Sequence, residues 1–155
     1  MSRREGKPGW PLSADYPPVW TLGFAVAIWL IGHALRSGAS LFVALGWLLV
    51  LAAFALMLWA VMHFRRANTT VNPHGQPARL ITGGPFRFSR NPIYLGDALL
   101  LVGLCLAFRA LPALVLIPLF VWIINRRFIG PEEARLTAAF PQGYPEYASR
   151  TRRWL

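Results

Sequence analysis

A long stretch without formal charge restricts the fold of this chain more than any other feature of its sequence. Residues 41–64 contain no Asp, Glu, Lys or Arg, and the stretch ends abruptly at Arg65 and Arg66. A helix needs roughly 20 predominantly apolar residues to cross a bilayer, so this stretch predicts a transmembrane helix. An earlier apolar run, residues 19–35, is interrupted only by His33 and predicts a second one.

A third apolar region, residues 93–124, is too long for one simple span. It is interrupted near Arg109 and Pro112, and proline is well tolerated in the first turn of a helix. We therefore expect two short helices with Arg109 at the tip between them. The sequence predicts an all-α integral membrane protein with about four transmembrane helices, the last two forming a short helical hairpin.

The positive charge is separated from the apolar runs. The formal net charge is +10, yet only 14% of the residues are charged. Such segregation is typical of a membrane protein and argues against a nucleic-acid-binding function. With four spans, one side of the membrane holds only Arg36 and Arg109. The other side holds Arg3, Arg4, Lys7, Arg65, Arg66, Arg79, Arg87, Arg90, Arg126, Arg127, Arg135, Arg150, Arg152 and Arg153.

This asymmetry predicts the orientation, because cytoplasmic loops carry the excess of Lys and Arg. We expect both termini and the central loop in the cytoplasm, and a bacterial inner membrane as the location. The predicted organisation is a cytoplasmic N-terminal arm (1–18), two transmembrane helices (19–64) and a core (65–155). The core comprises a cytoplasmic loop (65–92), the hairpin (93–124) and a cytoplasmic tail (125–155), in which residues 131–140 predict a short amphipathic helix.

Two segments that flank the hairpin carry most of the residues suited to chemistry. The first contains Gly-Pro-Phe-Arg-Phe-Ser-Arg-Asn-Pro-Ile-Tyr-Leu-Gly at residues 84–96. The second begins with Glu132 and Glu133 and continues through Phe140, Tyr144 and Tyr147 to Arg-Trp-Leu at residues 153–155. In order, the two blocks resemble the superfamily of isoprenylcysteine carboxyl methyltransferases and phospholipid methyltransferases, over roughly residues 69–155.

The resemblance implies S-adenosylmethionine as the methyl donor, S-adenosylhomocysteine as the product, and a cytoplasmic cofactor pocket without a Rossmann fold. It implies a lipid or lipid-soluble acceptor reached from the bilayer. The implied catalytic residues are Glu133, Arg90 and Asn91. The implied cofactor-binding residues are Arg90, Asn91, Pro92, Tyr94, Gly96, Glu132, Glu133, Tyr144, Tyr147 and Arg153.

The residue types agree with these roles. A carboxylate of Glu132 or Glu133 can pair with the cofactor's ammonium group or accept hydrogen bonds from ribose hydroxyls. Arg90 can hold a carboxylate with two parallel hydrogen bonds, as can an arginine of the tail. Glu133 is also the candidate for a general base, although we favour it as a cofactor ligand. A phospholipid amine, an isoprenylated thiol or carboxylate and another hydrophobic molecule all stay open as acceptors.

Other interpretations compete at several positions. The two glutamates also suit the first turn of a helix after Pro131. Asp97 is either a functional group within an apolar helix or a hydrated residue near the helix start. The family often has His where this chain has Asn91, which cannot titrate. A non-catalytic lipid-binding or scaffold protein that retains the fold is therefore the alternative function.

Metal binding is not predicted. The three histidines are scattered along the chain and have no spacing typical of metal ligands.

Overall fold

The computed structural model describes residues 16–66 and 79–155. Most of the predicted N-terminal arm (1–15) and part of the predicted central loop (67–78) lie outside the described residues. Within them the chain forms helices α1 (Pro17–Ala34), α2 (Ser40–Arg66), α3 (Pro92–Ala107), α4 (Leu116–Ile124), α5 (Gly130–Ala139) and α6 (Gly143–Arg150). Short 3-10 segments lie at Gly84–Arg87 and Leu111–Val115.

Three helical stretches are long and apolar enough to cross a membrane, namely Pro17–Ala34, Ser40–Arg66 and Leu111–Ala139. The remaining apolar helix, α3, has 16 residues. At 1.5 Å per residue it is about 24 Å long, somewhat less than a hydrocarbon core of about 30 Å. The all-helical fold is confirmed, with three candidate spans and one shorter apolar helix among the described residues.

The predicted hairpin is formed by α3 and α4, with Arg109 in the turn between them. Arg109 adopts a φ of 56°, and its guanidinium donates hydrogen bonds of 3.0 and 2.6 Å to the carbonyl oxygen of Gly38. The backbone nitrogen of Ser37 donates to the Arg109 carbonyl at 2.8 Å. These contacts fasten the turn between α1 and α2 to the tip of the hairpin.

Helices α2 and α3 pack closely because glycines lie between them. Gly46 faces the backbone of Gly103 and Ala107, and Gly96 faces the side chain of Met57. Small residues allow helix backbones to approach closely inside a membrane. On the other side of α3, the fully buried side chains of Leu101, Ile28, Phe120 and Ile124 form the main core. Helix α3 is therefore central, which fixes the position of the residues at its start.

The outer face of α2 is apolar and is not covered by any other described part of the chain. Leu41, Leu48, Leu51 and Leu58 are all more than half exposed. In water such a face would be a large apolar patch, whereas in a bilayer it contacts lipid tails. This distribution fits an integral membrane protein.

Helix α5 is not a separate element of the tail. The chain continues from α4 through one π-helical turn, Asn125–Ile129, directly into α5, and the Gly130 nitrogen donates to the Asn125 carbonyl. Residues Arg126 and Arg127, which mark the end of the apolar run, lie in this turn beside Trp122 and Trp20. The amphipathic segment predicted at 131–140 is helical, but it is the last part of one long helical stretch.

Candidate functional site

The start of α3, the N-terminal part of α5 and the segment after α6 meet at one end of the helices. The backbone nitrogen of Arg90 donates to the Arg152 carbonyl at 2.9 Å. The side-chain amide of Asn91 donates to the Arg153 carbonyl at 3.0 Å, and the Ser89 hydroxyl donates to the same oxygen at 3.3 Å. Residues 89–91 thus hold the segment 152–153 against the start of α3.

Asn91 has a positioning contact in this arrangement. Its side-chain nitrogen Nδ2 donates to the Arg153 carbonyl, and its backbone nitrogen donates to the Ser89 hydroxyl at 3.1 Å. Both Ser89 and Asn91 are buried. A side-chain amide can donate a hydrogen bond to a backbone carbonyl but does not titrate near neutral pH. This geometry therefore supports a role for Asn91 in positioning the C-terminal segment and not in proton transfer.

Glu133 lies between two arginines. Its Oε1 is 3.3 Å from Nη1 of Arg90 and 3.1 Å from Nε of Arg153, while Arg153 Nη2 bonds to Oε2. The hydrogen bonds from Arg153 to the carboxylate raise the pKa of Arg153, which stays charged. Arg90 Nη1 also donates to the Tyr144 hydroxyl at 3.4 Å. We call Arg90, Glu133, Tyr144 and Arg153 the arginine–glutamate cluster.

The two tyrosines of α6, Tyr144 and Tyr147, are buried, and both hydroxyls are hydrogen-bonded. Burial, and next the negative charge of Glu133, raise the pKa of Tyr144 to about 12. Burial likewise raises the pKa of Tyr147, whose hydroxyl donates to the Phe86 carbonyl at 2.7 Å. Both phenols therefore remain hydrogen-bond donors at neutral pH, and both support the surrounding backbone and side chains.

A cavity of about 520 Å³ opens beside this cluster. It has a polar rim and mostly apolar walls. The rim is formed by Arg90, Asn91, Tyr94 and Glu132, and Asp97 lies one turn further along α3. The walls are formed by Tyr16, Pro17 and Pro18 beside α1, by Phe54, Met57 and Phe64 of α2, and by Phe86, Pro92, Ile93 and Leu100.

The two neighbouring glutamates have different surroundings. Successive residues of a helix point about 100° apart, since 3.6 residues make one turn. Glu132 lines the cavity together with Tyr94. Glu133 instead belongs to the arginine–glutamate cluster. The carboxylate available to a molecule in the cavity is therefore that of Glu132.

Arg90 joins the cluster to the cavity. One end of its guanidinium contacts Glu133 and Tyr144, whereas its buried Nε has no hydrogen-bond partner among the described atoms. A buried donor without an acceptor costs about 1–3 kcal/mol, so a rearrangement that gives this nitrogen an acceptor is favoured.

Several of the residues implied by the resemblance do not line the cavity. Gly96 packs against Met57. Glu133, Tyr144 and Arg153 lie behind Arg90, and Tyr147 lines a second basin, of about 480 Å³, with Thr82, Arg87, Glu146 and Arg150. The structure thus brings Arg90, Asn91, Pro92, Tyr94 and Glu132 together at the cavity and leaves the others as its support.

Helices α1 and α2 contribute residues to the cavity, which the sequence did not predict. From the sequence they were expected only to cross the membrane. Tyr16 and Pro17 lie at the start of α1, and Met57 lies on α2, yet all three border the cavity. No motif marks them. One signal was present, because Thr21 of α1 and Asp97 of α3 are buried polar residues within apolar stretches.

No group of three or more potential metal ligands occurs in the part of the chain that the structure describes.

The profile of the phospholipid methyltransferase family matches residues 41–143. This match covers α2, the start of α3 with Arg90, and α5 with both glutamates. The chain belongs to the phospholipid methyltransferase family. It is accordingly an integral membrane protein of a methyltransferase family, as the resemblance predicted.

A curated relative of this family member is the cobalt-zinc-cadmium resistance protein CzcN of Cupriavidus metallidurans. The two chains are 30% identical over 139 residues, which is 86% of this chain and 60% of the relative. This chain therefore spans about 60% of the relative's own length. No solved structure matches the chain.

Proposed function

We propose that this chain is an S-adenosylmethionine-dependent methyltransferase that acts on a lipid-soluble or lipid-linked acceptor at the cytoplasmic face of the membrane. The observation that carries the proposal is the cavity with a rim of Arg90, Tyr94 and Glu132 and apolar walls from α1 and α2. A polar cofactor and an apolar acceptor can bind next to each other only in a site that offers both polar and apolar surfaces.

The chemistry of the rim suits the cofactor. The guanidinium of Arg90 can donate to its carboxylate, and Glu132 can pair with its ammonium group or accept from a ribose hydroxyl. Asn91, Pro92 and Tyr94 complete this side of the cavity. When bound, S-adenosylmethionine supplies an activated methyl group on a sulfonium centre, and S-adenosylhomocysteine is released as product.

The chain's own contribution is binding, orientation and exclusion of water. Glu133 and Tyr144 hold the guanidinium of Arg90, and Asn91 and Ser89 hold the backbone of residue 153. The apolar walls exclude water from the reacting groups. Positioning of two reactants in this way can contribute roughly 7–11 kcal/mol to lowering the barrier in favourable cases.

The proposed topology has four spans with both termini in the cytoplasm of a bacterial cell. In this arrangement α3 crosses the bilayer as a short helix within the core of residues 65–155. The cavity lies at its cytoplasmic end, where Arg90 lines it. Because α1 and α2 also border the cavity, the site extends beyond this core into residues 16–64. The acceptor enters from the bilayer between these helices.

Calorimetric titration of S-adenosylmethionine into the protein in lipid nanodiscs tests the proposal. Wild-type protein should bind it saturably, whereas Glu132→Gln should weaken binding and Glu133→Ala should abolish it by releasing Arg90. Glu146→Ala is the matched control, because Glu146 is exposed and its ion pair among the described residues is with Arg150 on its own helix. A folded wild-type protein that does not bind would favour the alternative, a non-catalytic lipid-binding or scaffold protein.

A further inference from the structure

Two consecutive residues near the C-terminus contact the long helical stretch on both sides of its π-helical turn. The indole nitrogen of Trp154 donates to the side-chain oxygen of Asn125, the first residue of the turn, at 3.2 Å. The guanidinium of Arg153 donates to Glu133 in α5, with Nε 3.1 Å from Oε1. We call these two contacts the C-terminal clamp, because together they bridge the turn.

The clamp is itself fixed to other parts of the protein. Trp154 is partly buried and packs against the main core. The carbonyl oxygens of Arg152 and Arg153 accept hydrogen bonds from the Arg90 backbone and the Asn91 side chain at the start of α3. The position of the clamp is therefore determined by α3 and the core as well as by α5.

The π-helical turn determines which glutamate faces the cavity. The Gly130 nitrogen donates to the carbonyl of Asn125, five residues earlier, whereas the hydrogen bonds of an α-helix join residues four apart. The extra residue rotates everything that follows by roughly 100°, the angle between successive residues of an α-helix. In a regular α-helix, Pro131 would take the present orientation of Glu132, and Glu132 would take that of Glu133.

A π-helical turn is rare, and single turns of this kind within α-helices occur frequently at functional sites. We propose that the C-terminal clamp maintains the π-helical turn and thereby holds Glu132 at the cavity. Asn125 and Trp154 are positioning residues in this arrangement, since neither is among the described residues that line the cavity. This inference rests on the proposed methyltransferase function, because Glu132 is assigned there to the cofactor.

Calorimetric titration of S-adenosylmethionine into the protein in lipid nanodiscs tests the clamp. Trp154→Phe keeps an aromatic ring but removes the indole donor, and it should weaken binding by up to about fivefold, the scale of one intramolecular hydrogen bond. Asn125→Ala should have a similar effect, and the double variant should lose no more than either single variant. Trp29→Phe is the matched control, because Trp29 is half exposed and stacks on His33 of its own helix.

Deletion of Arg126 separates positioning of the turn from packing of Trp154. The deletion removes one residue from the turn, so that a regular α-helix gives Glu132 the orientation that it has in the wild type. Trp154→Phe should then leave cofactor affinity unchanged. An equal loss with and without the deletion would overturn the proposal. If the deletion variant does not fold, the double variant decides, because additive losses for Asn125→Ala and Trp154→Phe would also overturn it.

Thiol labelling measures the orientation of α5 without the cofactor. In a Cys105→Ser background, Glu132→Cys should react with a small thiol reagent several-fold more slowly when Trp154→Phe is added, because the side chain turns from the open cavity towards the arginine–glutamate cluster. An unchanged rate would overturn the proposal. Absence of cofactor binding in wild-type protein would instead contradict the methyltransferase function, and the labelling rate would still decide on the clamp.

Discussion

The carboxylate of Glu133 accepts hydrogen bonds on both of its oxygens from the guanidinium of Arg153, with Arg153 Nε 3.1 Å from Oε1. This pair connects α5 to the segment that follows α6. Because the same carboxylate contacts Arg90 at 3.3 Å, the pair also determines where Arg90 points. Glu133 and Arg153 do not line the cavity, yet they determine the position of Arg90, which does.

Arg153→Ala should weaken S-adenosylmethionine binding by up to about fivefold, since ion pairs of this partial exposure contribute up to about 1 kcal/mol. Arg152 supplies a matched control, because its exposed side chain is adjacent in sequence and its backbone carbonyl survives substitution. Calorimetry on both variants measures the effect. Equal loss in Arg152→Ala would show that general positive charge, and not the contact with Glu133, is responsible.

Gly46→Leu should destabilise the packing of α2 against α3. A side chain at this position would collide with the backbone of Gly103 and Ala107, and overpacking of this kind typically costs about 1–3 kcal/mol. Thermal unfolding in detergent should show a lower midpoint than for wild type. Gly23→Leu in α1 is the control, as nothing lies within 4 Å of its Cβ position, and a similar loss there would contradict the packing explanation.

The raised pKa of Tyr144 predicts a loss of stability at alkaline pH. Its ordinary pKa is 10.0 and its pKa in the folded protein is about 12, so the folded state holds a proton that the unfolded state has released between these values. The free energy of unfolding should therefore be unaffected by this group below pH 10 and should fall as the pH rises towards 12. Tyr144→Phe should show a shallower decline in chemical unfolding measured from pH 9 to 11.5. Identical slopes for the two proteins would refute the expectation.

Cysteine labelling can test the proposed topology, because Cys105 is the only cysteine of the sequence. In a Cys105→Ser background, single cysteines at the exposed positions Ala39, Pro112 and Ser149 should react with an impermeant maleimide from different sides. Ala39→Cys and Pro112→Cys should be labelled from the periplasm, and Ser149→Cys only after the cells are opened. Labelling of Pro112→Cys and Ser149→Cys from the same side would exclude the four-span arrangement.

Much of this architecture is predictable from the lengths of the apolar runs. Residues 41–64 define α2 almost to the residue, and the interruption at Arg109 marks the tip of the hairpin. Residues of the two blocks that flank the hairpin were also expected to form one pocket, and Arg90, Glu133 and Arg153 do lie together. The lengths and order of the apolar runs predict the helices because the bilayer thickness sets the number of residues that a transmembrane helix needs.

The choice between Glu132 and Glu133 was not available from the sequence. It depends on the rotational phase of α5, and the π-helical turn Asn125–Ile129 shifts that phase relative to a regular helix. Arg126 and Arg127 looked like the end of the last span, yet both lie inside this turn. Tyr16 and Met57 also line the cavity, although they are distant in sequence from Arg90 and Glu132. The periodicity of apolar residues within one helix cannot predict such tertiary contacts.

The attachment of residues 152–153 to Ser89, Arg90 and Asn91 has a consequence for biosynthesis. These residues lie C-terminal to α3 and α5, so they are synthesised after the helices whose ends they join. A chain that ends at residue 150 would contain all six helices. Its Asn91 side chain would lack the Arg153 carbonyl as an acceptor, and Glu133 would contact Arg90 but not Arg153. The support of Arg90 by Glu133 and Arg153 is thus completed only after residues 152–153 have left the ribosome and docked on the start of α3.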